Sequence, residues 1–426
     1  MTSNSREKEA YVWIWLPGET QPQVAGVVTK WRQGQYAFNY SRSYLDNPLA
    51  IPIYSPELPL IKGRILPTHN LNMASSLRDA APDVWGRRVI LNRLTGTKVE
   101  NDQANGLDEI DYFLESGSDR IGALDFQSSA THYVARQNAN ASMEELLCAA
   151  QMVDEGRTLT KGLDEALRHG TSLGGARPKA TIEDDNRKYI AKFSSSTDIH
   201  NVVKYEFVSM RLAKRAGLNV APVSLVSSLN KDVLLVERFD RVRTEKGWIR
   251  KAMVSALTLF ELDEMMARYA SYETFTQQIR ERFTDPEQTL HELFGRLVFN
   301  ILCGNTDDHA RNHGAFWDGQ AMTLTPAYDL CPQPRKGQEA SQAMLILGNN
   351  NLSQLSLCLK AAANFQLSES QAREIIDAQI DSIVNNMKAV ADEAGLTPVD
   401  RARIVTDAFF NPFAFEGYSG RPKLIA

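Results

Sequence analysis

The sequence predicts an α+β fold with two lobes and an added β-rich N-terminal subdomain. Strand-like apolar segments at 11–16 and 35–40 mark the first part of the chain. A hairpin pattern and a helix pattern follow at 179–217, and long helical patterns such as 367–394 dominate after Thr244. The predicted units are a β-rich N-terminal subdomain (1–135), a small lobe (136–243) and a mainly helical large lobe (244–426).

Composition limits the function classes. With 426 residues and 43% hydrophobic residues the chain can build a large core, and none of its apolar runs is long enough to cross a bilayer. The N-terminus lacks the apolar core of a signal peptide, so we expect a cytoplasmic protein without membrane contact. A net charge of −5 argues against strong autonomous nucleic-acid binding. Four cysteines without metal or redox spacing are expected to be buried thiols: Cys148, Cys303, Cys331 and Cys358.

The rest of the N-terminal unit contains a Pro-rich stretch and a helical pattern. We expect loop and edge structure over 48–67 and a helix over 75–94. Trp85 and Gly86 inside that helix are interpreted as packing residues. The polar stretch 127–140 is expected to connect the subdomain to the small lobe.

A short Gly-containing loop opens the small lobe, with the sequence Thr171-Ser172-Leu173-Gly174-Gly175-Ala176-Arg177-Pro178-Lys179. Its small residues would let backbone N–H groups approach phosphates, with Arg177 and Lys179 as cations. The Walker spacing is absent and Gly-Gly is more often only a turn, so this loop alone does not predict a nucleotide site.

A strand lysine and a helix carboxylate follow the loop. The segments 181–182 and 188–193 flank a polar turn and predict a hairpin that carries Lys192. The helix predicted over 201–213 places Glu206 on its apolar face. A carboxylate buried there needs a partner, because burying it unpaired would be costly, and Lys192 is the nearest logical one.

The next apolar strand, within 232–241, runs into charged residues. Glu237 and Phe239 could meet a nucleotide base there through their main chain. Arg238 and Arg241 are explained equally well as solvated charges at a strand end.

The most informative pattern follows a buried helix predicted over 293–302, which ends at Gly304-Asn305. Asp307 precedes Asn312 by five positions, and Asp329 follows a short strand-like segment. In kinase-type phosphoryl transfer, such an Asp accepts the hydroxyl proton, while the Asn and the later Asp hold Mg²⁺. We therefore predict a protein-kinase-like fold that uses ATP and Mg²⁺, with Asp307 as catalytic base and with Asn312 and Asp329 as metal ligands.

Two other interpretations of this loop remain open. Asx-rich loops after helices are mostly turns and caps. His309 and His313 are four positions apart, as two ligands of a hydrolytic metal centre on one helical face would be. Gly314 and the broken periodicity argue against a helix at that point.

Five motifs together resemble those of the HipA family of bacterial toxin–antitoxin serine/threonine kinases, across nearly the whole chain. They are Asp79–Arg88, Gly174–Lys179, Glu237–Arg241, Asn305–Asn312 and Pro326–Leu330. The resemblance implies that ATP and Mg²⁺ are used to phosphorylate Ser or Thr of a protein. It also implies a Lys-orienting role for Glu206 and a supporting role in the catalytic loop for His309. The ATP-binding residues that it implies are Ser172, Leu173, Gly174, Gly175, Ala176, Arg177, Lys179, Lys192, Glu237 and Phe239.

Regulation and partners are further implications of the resemblance. It places an autophosphorylation site at Ser172, with Thr171 beside it as the other acceptor. A phosphate there would add about −1.5 to −2 charges where nucleotide phosphates bind, which would repel the loop and switch the enzyme off. The implied partner is a small helix-turn-helix antitoxin of the HipB type, which would make DNA contact indirect. The implied substrate class is an aminoacyl-tRNA synthetase.

Two other function classes are compatible with the sequence. One is a catalytically silent pseudokinase that serves as scaffold or co-repressor, although such a protein has no need of Lys192, Asp307, Asn312 and Asp329 together. The other is a small-molecule phosphotransferase on the same fold, which only substrate tests can distinguish from a protein kinase.

Overall fold

The fold is described from a computed structural model of the chain. The structure describes residues 8–68, 71–95, 107–136, 141–160, 162–163, 167, 175–195, 198–335, 337, 339–419 and 422. Within these residues, none of the helices is both long and apolar enough to cross a membrane.

The N-terminal part is an antiparallel sheet with strand order β4-β3-β2-β1-β5. Its strands are β1 (Glu9–Ile14), β2 (Gln23–Lys30), β3 (Tyr36–Tyr40), β4 (Arg64–Ile65) and β5 (Leu124–Gln127). The associated helices are α1 (Arg42–Leu45), α2 (Ser75–Arg78), α3 (Val84–Thr95) and α4 (Glu109–Glu115). Phe113 of α4 stacks on Phe126 of β5 with ring centroids 3.8 Å apart, so the helix covers one face of the sheet.

The single helix expected over 75–94 is wrong, because the chain forms α2 and α3 with a break between them. Pro82 lies in the break, lacks an N–H and disfavours helical backbone in the residue before it. Trp85 in α3 is fully buried, as a packing residue should be. The described part of 127–140 turns back on the sheet, where Arg136 Nη2 donates to the Phe126 carbonyl at 2.7 Å; residues 137–140 lie outside the described residues.

The small-lobe sheet is antiparallel with strand order β6-β7-β9-β8. Its elements, with the helix α5 that precedes it, are α5 (Met143–Asp154), β6 (Lys179–Glu183), β7 (Lys188–Phe193), α6 (Val202–Arg215), β8 (Val223–Ser228) and β9 (Lys231–Glu237). The predicted hairpin and helix are confirmed, and Gly217 leaves α6 with a φ of 90°. Trp85 and Val89 of α3 share a buried cluster with α5 and this sheet, so the N-terminal unit packs directly on the small lobe.

The large lobe begins with the hairpin of β10 (Arg241–Thr244) and β11 (Gly247–Arg250) and the sheet of β12 (Met253–Ser255), β13 (Gly314–Trp317) and β14 (Met322–Leu324). Its α-helices are α7 (Ala256–Leu259), α8 (Tyr272–Arg282), α9 (Pro286–Cys303), α10 (Leu355–Ala361), α11 (Glu369–Glu393) and α12 (Pro398–Asp407). The buried helix expected before Gly304 is α9, and the expected long helix is α11. Arg211 of α6 pairs with Glu393 of α11 at 2.9 Å, which ties the small lobe to the large one.

The expectation of four buried thiols is wrong in part. Cys303 and Cys358 are buried, Cys331 is half-buried and Cys148 is exposed. Cys148 lies on the outer side of α5, whereas its neighbours Leu147 and Ala149 face the core.

Candidate active site

Lys192, Glu206 and Asp329 form one connected charged group between the lobes. Lys192 on β7 donates to Glu206 on α6 at 2.6 Å, and its ammonium also contacts the Asp329 carboxylate. Glu206 is only 3% exposed, and burial raises the pKa of its carboxyl despite the nearby ammonium. Burial alone would lower the pKa of Lys192, but the two carboxylates raise it above its usual value, so the lysine stays charged.

The backbone just before Asp329 is hydrogen-bonded to the segment that follows α6 in the small lobe. Ala327 N–H donates to the Asn219 carbonyl at 2.7 Å, and Ala221 N–H donates back to Ala327 at 3.0 Å. Asp329 itself is left-handed with a φ of 60°, a conformation that Asp adopts more readily than most residues. Burial would raise the pKa of its carboxyl, but Lys192 and Lys179 lower it to about 2, so it is a permanent anion near neutral pH.

The loop after α9 is anchored before it reaches Asp307. Gly304 is left-handed with a φ of 73°, and a Cβ there would lie 2.6 Å from the Ala408 carbonyl oxygen, so glycine is required. Asn305 Nδ2 donates to Asn300 Oδ1 at 2.9 Å, and Gln342 Nε2 donates to the Asn305 carbonyl at 2.9 Å. These bonds hold the loop in place against buried residues.

Asp307, His309 and Asn312 form a compact turn. Asn312 Nδ2 donates to the Asp307 carbonyl at 3.0 Å, and the His309 N–H donates to the same carbonyl at 2.9 Å. The Asp307 side chain is exposed, which a base that receives a substrate hydroxyl requires. Desolvation raises its pKa and so does the charge of Asp329, while His309 lowers it. Because the Nδ2 of Asn312 is used in this hydrogen bond, its Oδ1 is the side-chain atom that could bind a cation.

Asp308 and His313 belong to a buried cluster that the sequence did not reveal. His313 Nε2 lies 2.8 Å from Asp308 Oδ1, and the Tyr272 hydroxyl donates to the other carboxylate oxygen. Tyr272 is 36 positions away in the chain, so spacing gave no signal for the contact. His313 therefore faces inward, towards Asp308 and Tyr272. Within the described residues, no group of three or more His, Cys, Asp or Glu is arranged to hold a metal ion.

Only the downstream part of the Gly-containing loop can be described; Thr171, Ser172, Leu173 and Gly174 lie outside the described residues. Gly175 has a φ of +94°, and a Cβ there would collide with the Lys179 ammonium. Lys179 is buried, and burial together with the neighbouring Lys192 lowers its pKa to about 8. Ala176 is exposed, and Arg177 pairs with Asp198 at 2.7 Å.

Glu237 and Phe239, the residues predicted to meet a nucleotide base, lie at the end of β9 and just after it. The Glu237 N–H donates to the Pro222 carbonyl at 2.9 Å. Pro222 has no N–H and therefore offers no donor in return to the Glu237 carbonyl. Phe239 packs edge-on against Phe316 at 5.8 Å and tilted against Tyr328 at 5.6 Å, which continues the apolar surface from the end of β9 to the large lobe.

Solvated charges are the wrong interpretation of Arg238 and Arg241, which are 4% and 6% exposed. Both guanidinium groups bind Asp119 and Asp240: Arg241 Nη2 lies 2.9 Å from Asp119 and Arg238 Nη2 lies 2.8 Å from Asp240. Asp240 also accepts the Gly122 N–H at 2.8 Å. Asp119 and the Gly122 N–H, both from the N-terminal part, thus hold the residues that follow β9 in place.

Comparisons with known proteins agree with this geometry. Residues 14–127 match the family model described as HipA N-terminal domain, and residues 171–387 match the one described as HipA-like C-terminal domain. The chain belongs to the HipA family. The two matches fall on the β-rich N-terminal part and on the segment from the Gly-containing loop through most of α11.

Individual HipA-family relatives are distant in sequence. A Sinorhizobium fredii protein named "Putative kinase Y4mE" is 24% identical over 97% of both chains. The Shewanella oneidensis protein named "Serine/threonine-protein kinase toxin HipA" is 30% identical over 183 residues, which cover 37% of this chain and 42% of that protein. HipA in the solved complex of Shewanella oneidensis MR-1 HipA, HipB and operator DNA superposes with a TM-score of 0.67 at 17% identity, over 93% of this chain and 94% of that one. The predicted two-lobed kinase-like fold with an N-terminal β-rich subdomain is confirmed.

A cavity of about 520 Å³ lies apart from the predicted site, between the end of α6, α9 and α11. It is lined by residues such as Asn219, Glu292 and Gln379, and none of the predicted site residues lines it.

Proposed function

We propose that this chain is an ATP-dependent serine/threonine protein kinase and the toxin of a type II toxin–antitoxin system. The observation that carries the proposal is that Lys192 contacts both Glu206 and Asp329. Asp307 and Asn312 share the loop that follows α9. A scaffold would gain nothing from this combination of charges at the cleft. The division into units at residues 135 and 243 is part of the proposal.

Each residue has a distinct task in the proposed transfer. Lys192, oriented by Glu206, binds the nucleotide phosphates. Asp307 accepts the proton of the acceptor hydroxyl as that oxygen bonds to the γ-phosphorus and the bond to the β-phosphate oxygen breaks, which releases ADP. Gly175 to Lys179 cover the phosphates from the other side. His309 supports the turn that carries Asp307.

The donor set fits Mg²⁺. Asp329 supplies a carboxylate whose pKa is about 2, and Asn312 supplies an amide oxygen; one carboxylate with few further ligands is what Mg²⁺ takes up alongside nucleotide phosphates. When bound, the ion would neutralise charge on the transferring phosphate. Asp329 and Asn312 would hold it, and Lys192 would then exchange the Asp329 contact for phosphate oxygens.

The base of ATP is assigned to the end of β9. We assign the Glu237 carbonyl, to which Pro222 cannot donate, to an exocyclic amino group of the base, and Phe239 to its apolar surface. The buried pairs of Arg238 and Arg241 hold this strand end still, so it needs no ordering when the base binds.

The proposal also covers how the kinase is regulated, which partner restrains it and which protein it phosphorylates. We assign autophosphorylation to Ser172, or to Thr171 beside it. The restraining partner is a helix-turn-helix antitoxin of the HipB type, supported by the relative solved with HipB and operator DNA, and DNA contact is indirect through it. The acceptor class is an aminoacyl-tRNA synthetase, which rests on the family resemblance alone.

Intact-mass spectrometry of the purified chain after incubation with ATP and Mg²⁺, followed by peptide mapping, tests the proposal. Wild type and the matched control Asp185→Ala, an exposed carboxylate in the β6–β7 turn, should gain phosphate on Ser172 or Thr171. Asp307→Ala should gain none yet still bind ATP. No phosphate with ATP bound would point to an acceptor only in trans or to a small molecule, and no ATP binding would favour a scaffold.

A further inference from the structure

Asp83 of the N-terminal part joins the Gly-containing loop to the catalytic loop. One carboxylate oxygen accepts the Gly175 N–H at 2.6 Å, and the other accepts from Arg311 Nη1 at 2.5 Å. These partners are 92 and 228 positions away in the chain. A single side chain therefore spans the N-terminal part, the small lobe and the large lobe.

Gly175 is held by both of its main-chain groups. Its N–H donates to Asp83, and its carbonyl accepts the Trp85 N–H at 3.2 Å. The Trp85 indole Nε1 then donates to the Lys179 carbonyl at 3.0 Å, at the first residue of β6. The downstream end of the loop is thus fixed at two points to the segment that contains Asp83 and Trp85.

Arg311 is equally bound into its own loop. It lies between Asp307 and Asn312, its carbonyl accepts the Tyr328 hydroxyl at 2.8 Å, and its guanidinium also contacts Glu264. Because Tyr328 directly precedes Asp329, a shift of Arg311 is transmitted to both proposed metal-binding positions.

The two hydrogen bonds that Asp83 accepts, from Gly175 and from Arg311, are called the tie below, and both are of a strong type. The carboxylate is half-buried and charge-assisted at both oxygens, and such bonds are roughly twice as strong as neutral ones. Burial alone would raise the pKa of Asp83, but Arg311 and the Gly175 N–H lower it below the usual range, so the carboxylate stays ionised near neutral pH.

We propose that Asp83 is a positioning residue that sets the distance between the Gly-containing loop and the catalytic loop. The N-terminal subdomain then contributes directly to the geometry of the proposed phosphate-transfer site. The kinetic consequence of this inference rests on the proposed kinase function. The two hydrogen bonds of Asp83 form without any ligand and can be tested independently of that function.

Asp83→Ala and Asp83→Asn test the tie, with Asp79→Asn as matched control. Asp79 lies four positions earlier and accepts from the Ser255 N–H at 2.7 Å and from the Thr258 hydroxyl at 2.7 Å. Its replacement therefore weakens the same segment but leaves the hydrogen bonds of Asp83 to Gly175 and Arg311 in place. Amide hydrogen exchange is measured without nucleotide in peptides that cover 175–178 and 308–312. Exchange should rise at least about tenfold in Asp83→Ala and stay near wild type in Asp79→Asn.

The rate at which the chain phosphorylates its own Ser172 or Thr171, measured by intact-mass spectrometry over a range of ATP concentrations, supplies the second readout. Asp83→Ala should lower this rate at saturating ATP by about tenfold or more, with a smaller change in the ATP concentration that gives half the maximal rate. Asp83→Asn, which keeps an acceptor for Gly175, should lie between it and wild type. Asp79→Asn should lower the melting temperature but leave the rate unchanged. Unchanged exchange or an unchanged rate in Asp83→Ala overturns the inference. Raised exchange in Asp83→Ala together with no ATP binding by wild type refutes the proposed function and leaves the tie standing.

Discussion

Lys192 contacts Asp329 directly, although the two residues come from different lobes and are 137 positions apart. The same ammonium binds Glu206, so one cation neutralises two carboxylates at the cleft. The proposed mechanism assigns Lys192 to nucleotide phosphates and Asp329 to a metal ion. The contact between them therefore has to open when ATP and Mg²⁺ enter, and each residue then exchanges one counter-charge for another.

Replacing the Asp329 carboxylate should uncouple nucleotide binding from the metal. Asp329→Asn keeps the shape of the side chain but removes the charge that attracts Mg²⁺. We expect the affinity for ATP in Mg²⁺ to fall by at least about tenfold, or roughly 1.4 kcal/mol. Titration calorimetry with Mg²⁺ and with EDTA measures the difference. Asp185→Asn, on an exposed turn, is the control, and an unchanged affinity for ATP in Mg²⁺ would remove Asp329 from the metal site.

Lys192 should also matter for stability. Lys192→Met leaves Glu206 buried at 3% exposure without its cation, and the loss of one partner from a buried pair costs roughly 3–5 kcal/mol. The double variant Lys192→Met with Glu206→Leu should recover part of that loss, because the buried charge is gone. Urea unfolding gives both free energies, with Lys231→Met, a half-buried lysine at the start of β9, as the control. Equal stability of wild type and Lys192→Met would show that Glu206 finds another partner.

The pairing of Lys192 with Glu206 could be predicted from the sequence, because each residue lies in a regular strand or helix whose period fixes the direction of the side chain. A strand lysine and a carboxylate on an apolar helix face leave few other arrangements. The proximity of Asp307 and Asn312 could be predicted for a similar reason, since a five-residue step is a local pattern. Periodicity indicated the α+β content, whereas the kinase-like fold was predicted from the spacing of Asp307, Asn312 and Asp329 and from the family resemblance.

Contacts between loops that are distant in the chain could not be predicted from the sequence. Asp119 reaches Arg238 across 119 positions, and neither residue lies on a periodic apolar face, so the arginines looked like ordinary surface charges. Asp83 is a comparable case, because it follows Pro82 in an irregular break between two short helices. Such partners are decided by how the N-terminal part packs on the lobes, and periodicity carries no information about that packing.

The buried cluster behind the end of β9 should make stability sensitive to acid. Burial alone would raise the pKa of Asp240, but Arg238 and Arg241 lower it to about 2 from an ordinary value of 3.8. A carboxyl with a lowered pKa in the folded state stabilises above its unfolded pKa, and that contribution is lost as pH falls from about 4 toward 2. The stability advantage of wild type over Asp240→Asn, measured by urea unfolding, should therefore be constant above about pH 5 and shrink below pH 4. A pH-independent difference would mean that Asp240 acts through its shape alone.

Lys179 should give ATP binding a dependence on alkaline pH. Burial and the neighbouring Lys192 lower the pKa of Lys179 to about 8, so in the free protein it loses its proton as pH rises through that value. The phosphates of a bound nucleotide would stabilise the ammonium form and raise this pKa again, which links binding to the uptake of a proton. Affinity for ATP should then be constant below pH 8 and fall above it, by up to about tenfold for each pH unit until the pKa of the complex is reached.

Calorimetry of ATP binding between pH 7 and pH 9.5, in buffers of different ionisation enthalpy, counts that proton directly. Lys192 has a raised pKa and stays charged over this range, so it contributes no slope of its own. Lys179→Arg should bind without the alkaline loss because a guanidinium keeps its charge there. Lys179→Met should bind more weakly at every pH and show no slope. A wild-type affinity that is flat to pH 9.5 would mean that the Lys179 ammonium does not face the phosphates, and the charge that covers them would then have to come from Lys192 alone.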